Sequence, residues 1–361
     1  MHRPSALVVT PNPVLGAAYR DRLQDLGLST ELAPNGEGAL ATATQQPPQA
    51  LIVDLMLPTM PAAELIRMVR AVPQMKEIPI FAMPTVHAKL TESAQEAGAG
   101  TILNRSSNPI DQLANAVRTA FKLPETAGRT PFGNQPPSGT AVLLAEVRST
   151  LHAISRDTSN PLEWRTLLKQ VHHVSEAIAL SGQEAPTQIG FAFEALAADL
   201  AGMPEQANPS VLNTMSQAAD FLGTLLQRST PPVANTPSPA RVLIVDDEVS
   251  TLQIVTAAVR AVGLASTEAG TPSDALDAVR TSHFDLIFLD VGLPQMSGFD
   301  LCSQLRATSD HDATPVVFLT GMATFTNRAK SSLSGGDDFV GKPFNLRELG
   351  LKALIWLYKG R

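Results

Sequence analysis

The stretch RVLIVDDEVS, residues 241–250, runs four apolar residues into two adjacent acids, Asp246 and Asp247. A short apolar run ending in charge reads as a buried strand whose C-terminal end reaches solvent or a ligand. Two further acid or base positions recur downstream in the same way: Asp290 closes the apolar run DLIFLD and Lys342 follows DFVG. Between these runs lie stretches such as STLQIVTAAVRAVG, with apolar residues every three or four positions, which predicts helices. Strands alternating with helices predict a parallel sheet covered on both faces. The strands are RVLIV, ASTEA, DLIFLD, PVVFLT and DFVGK, and the more polar ASTEA belongs at an edge.

Open parallel sheets bind ligands beyond the C-terminal ends of their strands. Asp246, Asp247, Asp290, Thr320 and Lys342 all fall at such ends, so the sheet gathers them on one edge. Two carboxylates about 5 Å apart at an effective dielectric of about 20 repel by about 3 kcal/mol. A positive charge must therefore sit among them. Oxygen-only acidic sites without His or Cys favour a hard cation, and one that hosts phosphate beside the metal suits Mg²⁺. A carboxylate held there can act as a nucleophile toward phosphorus.

The motifs VDDE, LDVGLPQMSG, FLT and GGDDFVGKPF, in this order across 241–361, resemble the receiver domain of response regulators in two-component signalling. The resemblance implies a flavodoxin-like (CheY-like) five-stranded fold with Asp290 as phosphoacceptor. It implies Mg²⁺ held by Asp247, Asp290 and the Gly292 carbonyl, with Asp246 acting through water. Thr320 and Lys342 would bind the phosphoryl group, the Lys342-Pro343 bond would be cis, and Phe339 would be the aromatic that reorients with Thr320. Gly292 and Met322 would flank the path of an attacking water.

The same frame recurs near the N-terminus. ALVVTPN aligns with VLIVDDE, QALIVDLMLPTMPAAELI with FDLIFLDVGLPQMSGFDL, and IPIFAMP with TPVVFLT. Thr10 to Asp54 is 44 residues, as is Asp246 to Asp290. Residues 1–122 therefore read as a second receiver-like fold, with Asp54 at the acceptor position. Thr10 and Pro11 stand in place of the acid pair, Pro84 in place of the threonine and Arg105 in place of the lysine. With the metal cage gone, this is expected to be a pseudo-receiver that binds a partner or packs on its neighbours; an Asp54–Arg105 salt bridge is a second reading.

Two Pro-, Gly- and Thr-rich stretches, 123–140 and 229–240, read as linkers. Between them, 141–228 carries four amphipathic stretches separated by Pro, Gly or Asn and no strand signal, predicting a four-helix bundle. His172, with Val171 before it and Gly182 ten places on, resembles the histidine of phosphotransfer domains. Ser175 and Glu176 stand where that family carries Lys and Gly, so two readings remain open: a phosphotransfer histidine, or His172 and His173 as two surface histidines of a bundle helix.

The chain has 361 residues, a formal charge of -7, a pI near 5.5 and one cysteine. Acidity without a basic cluster argues against direct nucleic-acid binding. A lone cysteine rules out an internal disulfide, and no apolar run is long enough to span a membrane. The expected setting is cytoplasmic. The expected role is a phosphorelay protein without an output domain of its own, not an enzyme beyond its own phosphorylation and dephosphorylation. A sensor histidine kinase or phosphotransfer protein would be upstream and a protein target downstream, with a homodimer possible. A phosphorylation-independent scaffold is the alternative. A phosphatase of the haloacid dehalogenase type is disfavoured, because Gly292 stands where its general-acid Asp belongs.

Overall fold

The computed structural model describes residues 3–83, 85, 88–104, 109–124, 139–227, 240–307, 311–321 and 335–360. Pro84, Arg105 and Met322, and most of both expected linkers, lie outside the described residues. The chain folds into two compact units, one comprising residues 1–146, 169–187 and 226–232, the other residues 147–168, 188–225 and 233–361.

In the first unit, β1 (Ser5–Val9), β2 (Ser29–Ala33), β3 (Ala50–Val53), β4 (Ile80–Ala82) and β5 (Thr101–Ile102) form a parallel sheet in the order β2-β1-β3-β4-β5. Alternate side chains of a strand face opposite sides. Leu7, Val9, Leu51 and Val53 therefore pack on α2 (Gly36–Gln45), α3 (Ala62–Ala71) and α4 (Ala88–Glu96). Ala6, Val8, Ala50 and Ile52 pack on α1 (Pro13–Asp25) and α5 (Pro109–Phe121). Because both faces are buried, the strands read as continuous apolar runs. Asn12 starts α1 by accepting from the Val14 and Leu15 amides, with Pro13 at the first helical position.

The second unit repeats this plan. Its strands are β6 (Arg241–Val245), β7 (Ala265–Ala269), β8 (Leu286–Asp290), β9 (Val316–Thr320) and β10 (Asp338–Gly341). They pair in parallel in the order β10-β9-β8-β6-β7, with ASTEA at the edge. Val242, Ile244 and Phe288 face α10 (Val249–Ala261) and the closing helix, here α13 (Leu346–Lys359). Leu243, Val245 and Leu289 face α11 (Pro272–Thr281) and α12 (Gly298–Arg306). Both sheets thus have the CheY-like receiver fold.

The middle of the chain is helical: α6 (Thr140–Arg156), α7 (Pro161–Ala179), α8 (Glu184–Gly202) and α9 (Pro209–Gln227). It contributes to both units. The C-terminal part of α7 belongs to the first, and Leu180 joins the core under α1 and α5. Most of α8 and α9 belongs to the second unit.

Candidate functional site

At the C-terminal edge of the second sheet, register alone brings the expected residues together. Val245 pairs with Leu289 and Gly341 with Thr320, so the next residues, Asp246, Asp290 and Lys342, emerge side by side. Lys342 Nζ lies 2.9 Å from Asp246 Oδ2 and 2.9 Å from Asp290 Oδ1. The Gly292 amide donates to Asp290 Oδ2 at 2.6 Å, and the Glu248 amide donates to Asp246 Oδ1 at 2.9 Å. The Lys342 amide donates to the Thr320 carbonyl at 2.7 Å. Thr320 and Asp290 are buried, whereas Asp247 is exposed. The Lys342-Pro343 bond is cis, as the resemblance implied. Phe339 is half-buried in β10 and packs on the α11 and α12 side of the sheet.

Charge in this site is unevenly balanced. Burial opposes protonation of Lys342, but its contacts with Asp290 and Asp246 outweigh burial and raise its pKa. Burial pushes the Asp246 carboxyl above the usual range, and nearby Asp290 adds to this against the Lys342 and Glu248 contacts. One ammonium thus leaves the cluster short of positive charge. An oxygen-only donor set in that condition fits a hard cation such as Mg²⁺. Among the described residues no three His, Cys, Asp or Glu side chains close into a metal cluster.

The corresponding edge of the first sheet has been rebuilt. Asp54 is 2 % exposed; Thr10 Oγ1 donates to its Oδ2 at 2.9 Å and the Met56 amide to its Oδ1 at 2.8 Å. His172 Nε2 lies 3.8 Å from Asp54 Oδ1, and Asn12 Nδ2 donates to the His173 carbonyl at 3.2 Å. Burial raises Asp54, but His172, Met56 and Thr10 outweigh it and hold its pKa below the usual carboxylate value. Both sequence readings of His172 are corrected here: the imidazole is only 2 % exposed, neither a surface residue nor open to a phosphotransfer partner. A carboxylate buried without its lysine needs another partner, and α7 supplies one. His173 is half-buried.

Sequence reasoning missed the residues behind β10 and α13. Glu348 and Lys352, both fully buried, face Ser210, Thr214 and Gln217 of α9. Charged residues in an amphipathic helix read as solvent-facing, so only the burial in the fold reveals them.

The family profile of the response regulator receiver domain matches residues 242–353. These residues are a response regulator receiver domain. The chain is 41% identical over 119 residues to the probable transcriptional regulatory protein TcrX of Mycobacterium tuberculosis, covering 32% of this chain and 50% of TcrX. It is 40% identical over 109 residues to the DNA-binding response regulator MtrA of Mycolicibacterium smegmatis, covering 30% of this chain and 46% of MtrA. The chain therefore spans about half the length of the curated relatives it matches. Among solved structures, Vibrio cholerae chemotaxis protein CheY4 is 32% identical, with 32% of this chain and 97% of CheY4 covered and a TM-score of 0.31. No helix among the described residues is long and apolar enough to cross a membrane.

Proposed function

We propose that the protein is a response regulator phosphorylated on Asp290, which signals through protein contacts. The carrying observation is the meeting of Lys342 Nζ with both Asp290 and Asp246 at 2.9 Å. Asp290 Oδ1 attacks the phosphorus of a phosphohistidine or small acyl phosphate. An O–P bond forms, the bond from phosphorus to the donor breaks, and the donor leaves with the electron pair, as an imidazole protonated by solvent from phosphohistidine or as a carboxylate that needs no proton from an acyl phosphate. Lys342 passes from the carboxylates to the phosphoryl oxygens, the Thr320 hydroxyl donates to another, and Phe339 follows Thr320. Asp247, Asp290 and the Gly292 carbonyl would hold Mg²⁺, with Asp246 acting through water; the ion supplies charge neutralisation for the transferred group. Gly292 leaves no general acid two places after Asp290, so the receiver promotes only its own phosphorylation and dephosphorylation.

The upstream partner is a sensor histidine kinase or phosphotransfer protein. DNA binding in the name of MtrA is a property of that protein; for this acidic chain we propose a protein target. Residues 1–122 are proposed to be a pseudo-receiver, supported by the enclosure of Asp54 between Thr10 and His172. The helical segment then acts as an interaction module rather than a relay.

The test is intact-mass analysis after incubation with acetyl phosphate, with and without Mg²⁺. One Mg²⁺-dependent phosphate is expected on wild type, Asp54→Ala and His172→Ala, and none on Asp290→Ala. No uptake by wild type would favour the scaffold reading, and labelling that persists in Asp290→Ala but not Asp54→Ala would reverse the roles of the two sheets.

A further inference from the structure

Within the second unit, α9 lies on β10 and α13 of the receiver through a buried polar seam. Ser210 Oγ accepts from the Gly341 amide at 3.1 Å and donates to Glu348 Oε1 at 2.6 Å. One turn on, Thr214 donates to the same carboxylate oxygen at 3.0 Å. Gln217 follows on the same helix face and accepts from Lys352 Nζ at 3.0 Å. Lys352 also holds Asp338 at 2.8 Å, which accepts from Trp356 Nε1 at 2.9 Å. At the margin, Asn345 Nδ2 donates to Gln206 at 3.4 Å and Lys359 Nζ sits 5.7 Å from the Phe221 ring centroid.

The seam reaches the phosphorylation site in one residue. Gly341 gives its amide to Ser210; the next residue, Lys342, holds Asp246 and Asp290 and gives its own amide to Thr320. The seam is also imperfectly satisfied. Glu348 Oε2 is buried and has no hydrogen-bond partner among the described residues. A buried acceptor left unmade offsets part of what the neighbouring bonds contribute.

From this geometry we infer that α9 is a latch on the receiver, seated when Asp290 is free and unseated when Asp290 carries phosphate. The inference rests on the reading of Asp290 as phosphoacceptor. Once Oδ1 carries the phosphoryl group as an acyl phosphate, Lys342 leaves Asp246 for the phosphoryl oxygens and Thr320 is drawn the same way. The β10 end moves with them, taking the Gly341 amide away from Ser210. Release of α9 bares a face fitted to a helix that presents two hydroxyls one turn apart and an amide beyond them.

The experiment uses the full chain with Mg²⁺ and acetyl phosphate, each sample divided between intact-mass analysis and hydrogen exchange. Amides of residues 210–221 should exchange about tenfold faster in phosphorylated wild type, the size expected from one lost hydrogen bond. Asp290→Ala should show no change. Ser210→Ala should exchange faster in α9 before any phosphodonor is added, while β6 and β8 keep their protection and report that the unit is folded. Phosphate uptake with unchanged or slower α9 exchange overturns the latch alone, as does Ser210→Ala with wild-type α9 exchange. Absence of uptake overturns the phosphoacceptor reading and the latch with it.

Discussion

Glu348 shows how one buried acid can set a pH dependence. Burial raises its pKa against the contacts from Ser210, Lys352 and Thr214, with Asp338 adding to the rise. A raised folded-state pKa contributes stability below the unfolded value, near 4.5, which is lost as pH rises through the folded value. Glu348→Gln keeps an acceptor for both hydroxyls and removes that loss. We expect its melting temperature to exceed wild type at pH 8 by a few degrees, with the gap closing near pH 4, as read by thermal denaturation. An equal gap at both pH values would show that the charge is not the cause. At this scale the sequence was uneven as a guide. Asp246, Asp290, Thr320 and Lys342 were legible because strand ends of a parallel sheet share an edge. The partner of Asp54 was not, because His172 lies in a helix far along the chain and no periodicity encodes that meeting.

The loop after β8 carries the next constraint. The Gly298 amide donates to the Val291 carbonyl at 3.0 Å, closing the turn that leads from Asp290 into α12. A Cβ at Gly298 would strike the Asp290 backbone carbonyl, where no flexible side chain can yield. Gly298→Ala is therefore expected to cost about 1 to 3 kcal/mol in urea denaturation and to slow phosphate uptake at Asp290. Wild-type stability and uptake would show that the turn can shift freely. All five strands of the second sheet were readable from their runs, including the polar edge strand β7, and β1, β3 and β4 of the first from their match to it, whereas the polar β2 and the two-residue β5 carry too little apolar pattern to be read. How the middle helices distribute between units was not, since α7 and α9 are each amphipathic and an apolar stripe does not name the surface it covers.

Each unit has its own sheet with two packed faces, so each has the means to unfold as a cooperative body. Scanning calorimetry of the full chain should show two transitions, and Mg²⁺ with a beryllofluoride phosphate mimic should move one of them upward while leaving the other in place. A single transition, or a shift of both, would show that the units melt together. The internal repeat was legible at this scale from matched motifs and the shared 44-residue spacing, and the two identical strand orders bear it out. The seating of α9 on β10 and α13 carries a practical lesson for anyone trimming the gene. Expression from residue 241 onward would yield a protein that keeps Asp290, the proposed acceptor, but whose buried Glu348 and Lys352 lose their α9 partners to water. Such a fragment would report the reactivity of the acceptor without its governor, and would be prone to stick to whatever helix is offered in its place.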